Sequence, residues 1–246
     1  IRNLISAELG PDSSKWTRRC GDCGLESVQI EMTETTIASR DRLTLVWTRC
    51  PECDVRNRMV SAGVPKTLLH ATLDNWKVSD PKDEQTIAKV REFAARPSGF
   101  LILAAPEFGN GKTHLAVAAL RIQVTRRARA RMMTAGMFLR DLRRRYDDGR
   151  AEDVAEVAAT IPFLVFDEFG VSVGGKDEAP TLHDVFNERH MEHRPTVLTM
   201  NLSPDQFREA IGPRMASRLR ESTFAWVTVH GPSYRAGNRT EYLRQK

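Results

Sequence analysis

The chain has 246 residues, 41% of them hydrophobic and 28% charged, with a formal net charge of +5. That length accommodates one larger domain and a small one, and the apolar share is that of a globular protein rather than a disordered or fibrous chain. No apolar run approaches the roughly 20 residues of a membrane-spanning helix and no signal-peptide pattern stands at the start, so the expectation is a cytoplasmic protein.

All four cysteines fall in the first quarter, as Cys20-Gly-Asp-Cys23 and Cys50-Pro-Glu-Cys53. Two C-x-x-C pairs flanking a hairpin-sized insert read as four thiolate ligands around a tetrahedral Zn²⁺. Within the insert, Val28, Ile30 and Met32 alternate with polar residues, as do Leu43, Leu45 and Trp47, which is the pattern of two half-buried strands. A module this small cannot bury a sufficient core, so the metal would supply folding energy. The alternatives are two disulfides or reduced thiols, and disulfides fit poorly in a cytosolic chain. The expected division is a zinc-binding domain over 1–60, a linker over 61–72 marked by Gly63 and Pro65, and a larger domain over 73–246.

An amphipathic helix is expected over 83–95. After it, Phe100-Leu-Ile-Leu-Ala104 reads as a buried parallel strand that runs into Pro106-Glu-Phe-Gly-Asn-Gly-Lys-Thr113. Gly109 and Gly111 let the backbone turn its N–H groups toward an anion. The helix after them offers the same anion its positive end. Lys112 would reach the β- and γ-phosphates of a nucleoside triphosphate, and the Thr113 hydroxyl would sit on Mg²⁺. The pattern G-x-x-x-x-G-K-[ST] is broken once, by Pro106 where glycine is usual, so the loop must begin differently. The bland alternative is an ordinary glycine-rich turn between strand and helix.

Next come arginine-rich stretches, Arg126 to Arg131 and Arg140 to Tyr146. Arg143, Arg144, Arg145 and Tyr146 combine cations with an aromatic face and suit a nucleic-acid backbone with stacked bases; a solvated helix face is the competing reading. Arg131 to Thr134 is expected as a second strand and 153–160 as a helix. Leu164-Val-Phe166 is a third strand, ending in Asp167 and Glu168. Asp167 would hold Mg²⁺ and Glu168 would orient and deprotonate the attacking water, since ligands of open α/β sheets bind at the carboxyl ends of strands. Helices follow over 179–190 and 203–211. Between them a fourth strand ends in Asn201, whose amide could hold the water or merely cap a turn. The order β-α-β-α-β-α-β predicts a parallel sheet with helices on both faces.

With these residues in place the chain resembles the helicase loaders of the DnaC/DnaI type, within the AAA+ P-loop class that also holds DnaA and IstB. Phe108-Gly-Asn-Gly-Lys-Thr-His-Leu-Ala116 looks like the family's nucleotide loop, and Phe163 to Gly170 like its second motif. The resemblance adds Asn110 and His114 to the nucleotide-binding set. It makes Arg218, in Gly212-Pro-Arg-Met-Ala-Ser-Arg218, an arginine finger acting on a neighbouring subunit, and Arg235 a sensor-2 arginine on the nucleotide. It also implies an ATPase that assembles into open helical oligomers without a full helical lid, binds single-stranded DNA, and grips a replicative helicase of the DnaB type. Two other readings stay open: an IstB-like ATPase serving transposition, and a non-catalytic zinc adaptor on a dead nucleotide fold.

Overall fold

The computed structural model describes residues 15–18, 28–37, 40–47, 50–77, 81–147, 151–170 and 178–230. They divide into two compact units, residues 1–58 and 59–246. In the first, β1 (Lys15–Arg18), β2 (Val28–Ile37) and β3 (Arg40–Trp47) form an antiparallel sheet in that order. Its register sets Ile30 opposite Trp47 and Met32 opposite Leu45. Residues directly opposite share a face, so the two apolar alternations fall on one side of the sheet. Cys50 precedes helix α1 (Pro51–Ser61), where Cys53 lies in the first turn; the Asp54 N–H donates to the Cys50 carbonyl at 2.9 Å. Cys20 and Cys23, the other half of the expected zinc set, lie outside the described residues.

The second unit is built on a five-stranded parallel sheet of order β5-β6-β7-β4-β8. Its strands are β4 (Phe100–Ala104), β5 (Ala130–Thr134), β6 (Phe163–Phe169), β7 (Thr196–Met200) and β8 (Thr223–Thr228). The helices are α2 (Pro81–Ala95), α3 (Lys112–Thr125), α4 (Ala135–Asp147), α5 (Ala151–Thr160), α6 (Glu178–Met191), α7 (Pro204–Ile211) and α8 (Pro213–Ser222). β4 and β7 are buried at every residue, as strands covered on both faces must be. Helices α2 and α3 cover one face. On the other, Phe138, Phe166, Phe169, Phe186 and Phe207 join the buried residues of α4 to α8 in one apolar cluster. β8 is a fifth strand that the order read from the sequence lacks. It adds to the edge of β4, and its Phe224 packs on Phe93 of α2 at 5.4 Å between ring centroids.

The sheet order decides which strand ends meet. The crossover through α3 carries the chain from β4 past two positions to β5, so β7 lies between β4 and β6. The ends of β4, β6 and β7 therefore open side by side at one edge of the sheet. Residues 62–71, within the stretch expected as a linker, are packed into this unit. The Met132 N–H of β5 donates to the Ala62 carbonyl at 2.6 Å. A Cβ on Gly63, at φ +89°, would sit 2.7 Å from the Met132 carbonyl oxygen, a contact only glycine avoids.

At the opposite edge the apolar cluster surrounds a cation. Arg189 of α6 is fully buried. Its guanidinium donates to Thr196 Oγ1 (2.7 Å) and to the carbonyls of Ala158 (2.9 Å), Ala159 (3.2 Å), Ile161 (2.8 Å) and Pro195 (2.7 Å). It thereby caps the carbonyl end of α5 and ties it to the start of β7. Burial pushes the guanidinium down to about 9, so it is still a cation at neutral pH. Replacing it with methionine leaves these acceptors unmet, and Arg189→Met should lose about 3–5 kcal/mol of stability. Arg189→Lys should recover little, because one ammonium cannot reach acceptors spread over two elements. Urea melts check this; a loss below about 1 kcal/mol in the methionine variant would show that the clamp does not hold the fold.

Candidate active site

Between β4 and α3 the chain makes a loop held by its own polar side chains. Gly109 and Gly111 have φ of 86° and 88°, the left-handed region that both were expected to supply. Asn110 is almost fully buried; its amide nitrogen donates to the Val229 carbonyl at 3.0 Å. The Lys112 ammonium donates to Asn110 Oδ1 at 3.0 Å and to the Glu107 carbonyl at 2.9 Å, so it folds across the loop. Gly111 caps α3 without any side-chain hydrogen bond. No N-cap side chain therefore covers the start of α3, which suits an anion there. Pro106 is exposed at the loop's start, where the missing N–H has no buried acceptor to leave unmet.

The carboxylate of Asp167, near the end of β6, is 4% exposed. Thr113 of α3 donates its hydroxyl to Asp167 Oδ1 at 3.0 Å, and Thr199 of β7 donates to the same oxygen in a short hydrogen bond. Burial holds the Asp167 carboxyl above the usual carboxylate range, against the pull of these two hydroxyls; the neighbouring Glu168 charge adds to the rise. Thr199 also accepts from the Glu168 N–H at 3.0 Å. This threonine was not picked out from the sequence, although a hydroxyl on an inward position of Thr196-Val-Leu-Thr-Met200 is a signal of its own.

Glu168 has φ 57°, left-handed for a residue with a Cβ, and the β6–β7 register shifts between Phe166 and Phe169. Such a conformation costs on the order of 1 kcal/mol, and a bulge of this kind re-aims side chains. Here it turns Glu168 out to solvent beside buried Asp167 and returns Phe169 to the core. Asn201 follows β7 at the same edge, and its Oδ1 is buried with no hydrogen-bond partner among the described residues.

His114 does a different job from its neighbours. Its Nε2 lies 2.9 Å from the Thr72 carbonyl, bracing α3 against the segment before α2. Burial lowers its pKa, the Thr72 carbonyl opposes that, and nearby His70 adds to the lowering. The neutral ring donating Nε2–H to the carbonyl fits this environment. Trp76, absent from the expected site, stands against the loop: a Cβ on Gly111 would collide with its indole, and its buried Nε1–H has no partner among the described residues.

Among the described residues, Arg218, Arg143 and Arg144 belong to other elements. Arg218 is exposed on α8 and donates to Asn187 Oδ1 of α6, bordering a cleft with Arg214 and His183. Arg143 and Arg144 are exposed on α4; the side chains of Arg145 and Tyr146, and Arg235 altogether, lie outside the described residues.

These groups fit a nucleoside triphosphate with Mg²⁺. The loop offers an uncapped helix end and an ammonium to the phosphates. The Thr113 hydroxyl and Asp167 carboxylate form an adjacent pair of oxygen ligands for a small hard cation. Asn201 and Trp76 add buried polar atoms that have no partner among the described residues. When bound, the ion would neutralise charge on the phosphates.

The family described as IstB-like ATP binding protein matches residues 26–241. The chain is 30% identical over 160 residues to an ATP-binding protein of insertion sequence IS5376 from Geobacillus stearothermophilus, covering 62% of this chain and 62% of that protein. It is 24% identical over 157 residues to the replicative helicase loader DnaI of Bacillus subtilis (strain 168), covering 61% of this chain and 50% of the loader. The match thus spans less than two thirds of either relative. Its fold is like that of the crystal structure of the DnaC helicase loader, with a TM-score of 0.61 at 20% identity over 68% of this chain and 100% of that one.

Asp167→Asn tests the site. An asparagine Oδ1 can still accept from Thr113 and Thr199 but carries no charge to desolvate. Because burial raises the Asp167 pKa, ionisation costs the folded protein stability at pH above that raised value, and the cost fades as pH falls toward the usual carboxylate range. In EDTA at pH 7.5 the variant should melt at the same temperature as the parent or about 2–4 °C higher, and the gap should close at acid pH. Added Mg²⁺-ATP should stabilise the parent and not the variant. A variant that melts clearly lower in EDTA, or gains as much from Mg²⁺-ATP, would take the ion away from Asp167.

Proposed function

We propose, on the premise that this chain belongs to the IstB-like ATP binding protein family, that it is a replicative helicase loader. In this reading it binds a DnaB-type hexameric helicase and single-stranded DNA and uses ATP to order its own subunits. The chain is an ATPase of the AAA+ class. In the reaction we assign, Lys112 and the loop N–H groups bind the phosphates, with Asn110 keeping the loop in shape. Thr113 and Asp167 hold Mg²⁺. Glu168, exposed beside them, takes a proton from the attacking water, and Asn201 orients that water. Arg235 contacts the nucleotide in the same reading, and Arg143 to Tyr146 contact DNA.

The observation that carries the assembly-dependent part is the setting of Arg218. It is exposed on α8 and engaged by Asn187 of α6 rather than by the loop of its own subunit. A guanidinium so placed is suited to complete a neighbour's site, where it would offset charge developing on the transferred phosphoryl group. Arg218→Ala should therefore leave ATP affinity nearly unchanged and reduce hydrolysis by at least about tenfold, and Lys112→Ala should abolish binding. Mixing the two variants should restore part of the activity, since a mixed interface can pair an intact loop with an intact arginine. A mixture as inactive as either variant alone, with both still assembling, would mean that Arg218 does not act in trans.

A second reading has its own support. Of the two curated relatives named above, the IS5376 protein has the higher identity, and its name ties it to an insertion sequence. The two cysteine pairs favour the loader, because a zinc module formed by Cys20, Cys23, Cys50 and Cys53 suits a helicase-gripping domain. The full chain should carry about one Zn²⁺ by elemental analysis, and in pull-downs it should retain a hexameric DnaB-type helicase when ATP is present. Metal-free folded protein would remove the zinc module. Retention of a transposase and not of the helicase would select the transposition reading.

A further inference from the structure

Outside the nucleotide site, the arginines of α2 and α3 converge on a cleft of about 310 Å³. Arg91 of α2, Arg121 of α3 and Arg126 just after α3 border it, together with Thr72, Thr125 and a single carboxylate, Asp74. Two of these guanidiniums are fixed from behind. Arg121 donates to the Leu69 carbonyl at 2.9 Å, and Arg126 to the carbonyls of Ala94 and Ala95 at 2.8 and 3.2 Å. Bonds to carbonyls orient a guanidinium without neutralising it, so Arg126 is a preorganised cation. The third, Arg91, meets Asp74 at 3.3 Å with both side chains largely exposed, a pairing worth little and open to displacement by a stronger anion.

We propose that this cleft seats a backbone phosphate of a single-stranded nucleic acid, as a contact separate from the α4 arginines and from the ATP loop. Three cations against one carboxylate favour an anion. Arginine guanidiniums and threonine hydroxyls are usual donors to phosphodiesters. A strand, rather than an isolated anion, accounts for the cations that continue along the chain after Arg126, since Arg129 and Arg131 are both exposed. The site is not the nucleotide's. Arg121 lies nine residues beyond Lys112 on α3, roughly 14 Å along the helix axis at 1.5 Å per residue. Nor is it continuous with α4, which covers the opposite face of the sheet. The Thr72 carbonyl that braces His114 belongs to a residue bordering the cleft, so an occupied cleft would bear on the same segment as the first turn of α3. The inference holds whether the chain serves a helicase or a transposase, because it rests on the cleft alone.

The experiment is fluorescence anisotropy of a labelled oligo(dT) of about 30 nucleotides against the full chain over a range of salt. Arg91→Glu should weaken binding at least about fivefold and reduce the slope of log K against log salt by about one. Asp74→Asn, at a side chain that is nine-tenths exposed, should tighten binding about twofold to threefold, a gain that misfolding cannot produce. Affinity for a fluorescent ATP analogue should be unchanged in both, keeping this outcome distinct from failure of the nucleotide site. Unchanged oligonucleotide affinity and salt slope in both variants would overturn the proposal. So would a polyglutamate peptide that binds as tightly and responds to the same two substitutions, since the cleft would then be a site for acidic peptide.

Discussion

The functional edge of this protein depends on one buried carboxylate and the two hydroxyls that donate to it. Asp167 lies near the end of β6, Thr113 in the first turn of α3 and Thr199 near the end of β7, so their hydrogen bonds tie three elements together at one oxygen. The sheet order makes this possible. With β7 between β4 and β6, the loop after β4 and the carboxylate near the end of β6 are separated by one strand, and that strand contributes Thr199 and then Asn201. A carboxylate so enclosed is expensive to ionise, and two neutral donors offset only part of the cost. A bound cation would recover the remainder, so such a site would sacrifice stability when empty in exchange for affinity when filled.

Strain at Glu168 belongs to the same design. Regular pleating would send residue 168 to the core-cluster face and keep residue 169 off it. The left-handed turn at φ 57° breaks that alternation: Asp167 stays inward toward Thr113, Glu168 emerges, and Phe169 packs on Phe186 and Phe207. Those ring contacts, at 5.8 and 5.5 Å between centroids, help hold an unfavourable backbone in place. Two adjacent carboxylates thus obtain different exposures, one buried and one in solvent, from a single backbone departure.

Much of this was legible in the sequence, for identifiable reasons. Buried parallel strands read as apolar runs, which located β4 to the residue, β7 within a residue at each end and the middle of β6, whose continuation through Asp167 to Phe169 was not read. Gly109, Gly111, Lys112 and Thr113 were legible because anion cradles constrain residue type and spacing together. What escaped was set by tertiary register. Thr223-Phe-Ala-Trp-Val-Thr228 mixes exposed and buried positions as an edge strand does, so it lacks the apolar run that marked the others. Thr199 became part of the site only because β7 was inserted beside β6, and Trp76 only because the segment before α2 folds against Gly111. Sequence adjacency carries none of that information.

The missing strand also explains how the loop tolerates Pro106. A loop that begins with proline instead of glycine gives up backbone freedom at its start, and its shape must be fixed elsewhere. Here the fixing point is Asn110. Its amide reaches the carbonyl of Val229, the residue just past β8, while its oxygen receives the Lys112 ammonium. The Val229 N–H in turn donates to the Ala104 carbonyl at 2.8 Å, at the very end of the strand that feeds the loop. Loop, strand end and β8 therefore form a closed set of hydrogen bonds in which each member is positioned by the other two. The residue that departs from the usual pattern sits outside this ring and exposed to solvent. Substitution at position 106 is thus compatible with an intact cradle, whereas loss of the Asn110 amide would disconnect the lysine from the sheet that aims it.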